Sequence, residues 1–161
     1  MPWLNNLFAA IYELFIGFYG DNLATHMYGG FPCPTEGFLN QSLYTPIGIF
    51  MILSSLVIAL IFYYAINHPR FNRWFHWLII LIINSGINFF LAYYRTHIDL
   101  STESICPELV TDPVSGFLYI TEFNCIGFGF ANSIVALFAF VIISFIIRCW
   151  SKNCSTCPIP N

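Results

Sequence analysis

The chain has 161 residues, 58% of them hydrophobic and 8% charged, with a formal net charge of -3. So little polar material cannot cover a water-soluble sphere of this size, so the surface is expected to face lipid. Five Lys and Arg residues leave no basic patch for a phosphate backbone, so nucleic acid is not an expected partner.

Residues 3–19, "WLNNLFAAIYELFIGFY", place Leu4, Leu7, Phe8, Ile11, Leu14, Phe15 and Phe18 at helical spacing, with Asn5, Asn6 and Glu13 opposite. The pattern predicts an amphipathic helix in the interface or docked on the bundle. A fourth span is the competing reading, disfavoured by the polar interruptions. With no basic n-region and Glu13 in its middle, the segment does not read as a cleaved signal. Its lack of Lys and Arg gives anionic lipid no hold, which points to docking on protein. Residues 20–45 are rich in Gly and Pro and read as an ordered external loop, with Cys33 between Pro32 and Pro34.

Residues 46–66 carry no charge and are long enough to cross a hydrocarbon layer of about 30 Å, which makes them the first expected span. Residues 67–73 contain Pro69 and are too few to cross back, so the next span, 74–94, returns antiparallel after a short cytoplasmic turn. Trp74 and Trp77 at one end and Tyr93 and Tyr94 at the other fit interfacial anchors. A second external loop, 95–117, holds Cys106 before Pro107; a third span covers 118–148, and a Cys-rich tail covers 149–161. Unbroken apolar runs lack the alternation of barrel strands, so the fold class is all-α, one membrane domain over 1–161.

Arg70, Arg73, Arg148 and Lys152 fall on one face, with Arg95 the exception, and the positive-inside rule assigns that face to the cytoplasm. The N-terminus is then external and the C-terminus cytoplasmic, in a bacterial inner membrane, or in a plasma or ER membrane if the source is eukaryotic. Inverted insertion is the alternative. The acidic residues map to the opposite face or its boundary, in agreement with this direction. External Cys33 and Cys106 would then meet oxidising conditions, and their pairing is favoured over either with Cys125 and over free thiols.

Within the spans, Asn84 and Asn88 lie four apart on one face beside Ser85 and Gly86, and Asn132 and Ser133 follow "GFGFA". Lipid cannot pair an amide, so these side chains should meet another helix or a water path. Gly127 with Ala131, Gly129 with Ser133 and, more weakly, Ser55 with Ala59 are small pairs that permit close helix approach. The asparagines read first as interhelical glue, alternatively as the lining of a homo-oligomeric pore. Glu122 would guard the mouth of such a pore, or simply favour the positive end of its helix.

Cys149, Cys154 and Cys157 in the tail include a C-x-x-C spacing that could hold metal or exchange disulfides, with His68 or His76 as a further ligand. Plain juxtamembrane thiols or a lipidation site are the simpler reading, so no metal site and no cofactor is favoured. "GFGFAN" has no preceding strand and lacks phosphate-loop spacing; H-E-x-x-H, G-x-S-x-G and the P-loop motif do not occur. The glycosylation triplets at Asn40 and Asn153 are poorly placed for use. The expectation is a non-catalytic membrane subunit or scaffold, with lipid, copies of itself or other membrane subunits as partners, within a secretion or transport assembly. The pore is second, and a metal-binding or redox protein using the tail is third.

Overall fold

A computed structural model describes residues 2–33, 42–65 and 74–148. The chain is mostly helical, with no strand among the described residues. Three short helices, α1 (Pro2–Glu13), α2 (Ile16–Tyr19) and α3 (Asp21–Tyr28), precede α4 (Tyr44–Leu60), which runs on into a π-helical turn at Ile61–Ala65. Then come α5 (Trp74–Ser101), a single turn α6 (Pro107–Val110) and α7 (Glu122–Arg148). Among the described residues, three stretches are long and apolar enough to cross a membrane: Tyr44–Tyr64, Trp74–Ser101 and Glu122–Ile147.

The centre of the bundle is α7, which packs against α5 along its length and also meets α4, α2 and α1. Between helices in lipid, association rests on close packing and hydrogen bonds rather than on apolar burial. Small residues provide that closeness. Gly129 faces the Phe89 ring, while Gly127 faces the backbone of α2, where an added Cβ would lie 1.8 Å from the Phe18 carbonyl oxygen. On α4, Gly48 admits the ring of Phe8 from α1. At the far pole Phe62, Tyr63, Phe140 and Ile147 form a second core with Trp77 against it. Arg148 closes α7 there, whereas Arg70, Arg73 and Lys152 lie outside the described residues.

Element boundaries differ from the sequence expectation where caps and packing intervene. The third long helix begins at Glu122 rather than 118. Thr121 donates its backbone N–H and its hydroxyl to Asn124 Oδ1, each at 2.8 Å, and Asn124 N–H donates back to the Thr121 carbonyl. This reciprocal cap fixes the start, with Glu122 in the first turn favoured by the helix dipole. In the other direction, α5 continues past 94 to Ser101 and carries Arg95, His97 and Asp99 out of the apolar zone.

Segment 3–19 is not one helix. A turn at Leu14 and Phe15 separates α1 from α2, and Gly20, at φ 82°, redirects the chain into α3. The buried stripe of α1 is Phe8, Ala9 and Tyr12, while Leu7, Leu14 and Phe18 are exposed. Where lipid is the solvent, apolar side chains suit both faces, so hydrophobicity alone does not mark the docked one. Nor is 20–45 wholly irregular: α3 buries Leu23, Ala24 and Met27, and the glycines at its ends, Gly20 and Gly29, both have positive φ.

Candidate functional site

A seam of polar side chains runs through the packed interior. Tyr12 of α1 donates its hydroxyl to Asn132 Oδ1 at 2.7 Å, and Asn132 Nδ2 donates to the Asn88 carbonyl of α5 at 2.7 Å. Asn88 Oδ1 accepts from Ser54 Oγ of α4 at 3.0 Å, while its Nδ2 donates to the Asn84 carbonyl at 2.9 Å. Asn84 Nδ2 in turn donates to Ser55 Oγ at 3.1 Å and to the Ala136 carbonyl at 3.4 Å. One network therefore ties α1, α4, α5 and α7. Ser85 and Ser133 add a hydroxyl pair at 2.5 Å, and Trp77 Nε1 donates to Ser144 Oγ at 3.3 Å.

The three asparagines are buried to 1% exposure or less, and every one of their amides is bonded within the protein. That satisfies the requirement that a polar group removed from water find partners, since leaving it unpaired costs roughly 1–3 kcal/mol. Interhelical bonds of this kind in membrane proteins contribute about 0.6 kcal/mol each on average. Their larger role here is registration. Each asparagine accepts a slightly different neighbour, so sliding one helix past another breaks several bonds at once.

At the upper end of the seam, Tyr12, Tyr19, Tyr44 and Phe128 form an aromatic cluster. Tyr12 stacks on Tyr44 at a centroid distance of 5.4 Å, and Tyr19 meets Phe128 edge-on at 5.2 Å. Burial pushes the phenol of Tyr12 well above its ordinary range, with Tyr19 adding to the shift, so Tyr12 stays a neutral donor to Asn132. Asn124 Nδ2 donates to the Tyr19 carbonyl at 2.8 Å, and with the Phe18 backbone carbonyl against Gly127 this clamps α2 across α7.

The cap around this cluster is closed by the Cys33–Cys106 disulfide, whose Cα atoms are 5.9 Å apart. Cys125, the third cysteine of the upper end, is a buried free thiol. Asn5 and Asn6 of α1 bond the carbonyl and hydroxyl of Tyr28 on α3, and Ser42 bonds Asn5 ahead of α4. A tight loop crosses from Thr111 to Leu118, with Asp112 accepting from the Val114 N–H at 3.0 Å and from Ser115 Oγ. The Ser115 bond and then the Val114 N–H hold the Asp112 carboxyl below its usual range.

Charged groups collect on the extension of α5. Arg95 Nη1 lies 3.0 Å from Asp99 Oδ1, and His26 Nε2 of α3 lies 3.7 Å from Asp99 Oδ2. Asp99 is nearly buried, whereas Arg95 is about half exposed, with 47% of its side chain accessible. Beside Arg95 a 290 Å³ cleft opens between α4 and α5, lined by apolar side chains and floored by Asn88 and Asn132.

Of the residues singled out from sequence, Asn84, Asn88 and Asn132 join one network with Ser133 nearby, and Gly127 and Gly129 mark close approaches. Glu122 is exposed, 3.8 Å from His97 Nε2. Cys149, Cys154 and Cys157 lie outside the described residues. Sequence reasoning missed Tyr12, Tyr44, Ser54 and the Arg95–Asp99–His26 group. A tyrosine one helical turn after Phe8, and so on the same face, was the available signal for the first.

No protein-family model, curated protein or solved structure matches this chain.

Proposed function

We propose that the chain is a non-catalytic helical membrane subunit, whose three long helices anchor a disulfide-closed cap that docks on copies of itself or on other membrane components. The observation that carries this reading is the direction of the polar seam. Asn84 and Asn132 donate their amides to neighbouring helices, and Asn88 accepts from Ser54 of α4 while its Nδ2 bonds the Asn84 carbonyl of its own helix. Those bonds fix the helices in a set register, which suits a rigid part in a larger assembly.

The outward faces complement it. Phe50 and Val57 on α4, Ile82 and Phe90 on α5, and Phe138 and Ile142 on α7 are all exposed. Such surfaces fit hydrocarbon or the helices of a partner. In orientation, the cap belongs on the non-cytoplasmic side, where a disulfide persists. A secretion or transport assembly of the cell envelope would use such a part.

Solubilisation from native membrane in mild detergent, followed by native sizing and identification of co-migrating chains, tests the reading. Migration with further subunits, of this chain or another, is expected. A stable lone monomer recovered at every detergent concentration overturns it.

A further inference from the structure

We propose that the cleft between α4 and α5 binds a membrane phospholipid, one acyl chain lying in the cleft and the phosphate resting on Arg95. The inference rests on reading the three long helices as membrane spans. It begins from charge. In a chain with only five Lys and Arg residues, Arg95 is, among the described residues, the one placed among the upper helix ends. Its carboxylate partner Asp99 sits one turn further along the same helix and approaches Nη1, at 3.0 Å. The guanidinium is a planar fork with five donors, so an edge is left for a second oxygen ligand, and the side chain is 47% exposed to receive one.

The cleft below supplies the other half of the match. Ile47 and Met51 of α4 face Leu91 and Ile98 of α5 across it, and Arg95 belongs to the same lining. Its volume of 290 Å³ is near the lower end for small-molecule sites, which begin at roughly 300 Å³. Asn88 and Asn132 touch its floor, but their amide groups are already bonded to Ser54, Asn84, Tyr12 and the Asn88 carbonyl. With its polar groups engaged in the protein's own bonds and its walls apolar, the cleft is a place where hydrocarbon fits. An occupant needs an apolar tail and an anionic oxygen cluster at one end. A phospholipid of the leaflet on the cap side has both, and Arg binds phosphate through paired charge-assisted hydrogen bonds.

The test uses the full chain purified in mild detergent, titrated with dioleoylphosphatidylglycerol and followed by native mass spectrometry and thermal stability. Saturable binding of the lipid is expected. Arg95→Gln should weaken it about tenfold or more, as loss of a charge-assisted pair implies, while Arg95→Lys, which keeps the charge but not the planar fork, should fall between Arg95→Gln and the unaltered protein. Leu91→Trp, which fills the cleft and leaves Arg95 intact, should weaken binding comparably. On the unaltered protein, dioleoylglycerol, which lacks the phosphate, should bind about as weakly as phosphatidylglycerol does to Arg95→Gln, and inorganic phosphate should not displace the lipid.

Equal affinity across wild type, Arg95→Gln and Leu91→Trp overturns the proposal, as does inorganic phosphate binding as tightly as the lipid. If Arg95→Gln loses the Cys33–Cys106 disulfide or its monodisperse elution, the Leu91→Trp, dioleoylglycerol and phosphate arms decide. Extraction of the chain from membranes by alkaline carbonate would instead refute the membrane reading itself, separately from the lipid site.

Discussion

Replacing Gly127 by alanine probes the closest approach made at any described glycine. An alanine Cβ would stand 1.8 Å from the Phe18 carbonyl oxygen, 2.6 Å from its carbon and 3.3 Å from the Tyr19 nitrogen. These are backbone atoms, so no rotamer change relieves the clash. The α2 backbone must retreat by roughly 1.5 Å to reach ordinary contact distance. That retreat pulls on the 2.8 Å bond from Asn124 Nδ2 to the Tyr19 carbonyl and on the packing of the Tyr19 ring against Phe128. Overpacking costs about 1–3 kcal/mol, and a weakened hydrogen bond adds about 1 kcal/mol, so a loss of about 2–4 kcal/mol is expected. Gly86→Ala is the matched control, since nothing lies within 4 Å of its added Cβ and the helix gains propensity there. Thermal unfolding in one detergent, read by intrinsic fluorescence, compares the two. If Gly127→Ala unfolds at the temperature of the wild type, or Gly86→Ala falls as far, the crossing of α2 over α7 is not as described.

Two further substitutions address the seam and the cap. Tyr12→Phe keeps the ring stack on Tyr44 but leaves Asn132 Oδ1 without its donor, which should cost about 1–3 kcal/mol. Tyr28→Phe, removing an exposed bond to Asn6, should stay within about 0.5 kcal/mol when measured in the same denaturation assay. Cys33→Ser with Cys106→Ser opens a closure spanning a sequence separation of 73, for which chain entropy gives about 4 kcal/mol as an upper figure. Helices embedded in a membrane, as proposed above, would already confine the intervening chain, so a loss nearer 2 kcal/mol is expected, together with slower migration on a non-reducing gel. An unfolding midpoint in the wild type that is insensitive to reductant would contradict it.

The long helices were legible because their signal is one of composition and length, which no packing detail can reverse. The disulfide was legible as the favoured one of three pairings, since Cys33 and Cys106 each lie in a separate proline-marked loop. What escaped was rotational. Across segment 3–19 the apolar residues surround most of the circumference, so the stripe read from spacing included Leu14 and Phe18, which are exposed, and left out Tyr12, which is buried. The polar seam was half visible. Asparagines within apolar runs stand out, whereas their partners Ser54 and Ser55 look like ordinary small residues, and Tyr12 lies far away in sequence. The start of α7 shows a similar contest, with the hydrophobic run pointing further back and the Thr121–Asn124 cap deciding otherwise.

The bond from Tyr12 to Asn132 joins residues 120 positions apart. During vectorial synthesis, then, α1 emerges before α7 and cannot take its final seat until residues near 132 have been made. Through that interval its aromatic stripe has no final seat, so maturation of the upper end is a late event set by translation of residues near 132. Truncations ending before α7 should therefore leave these early residues open to protease even though all of them have been made.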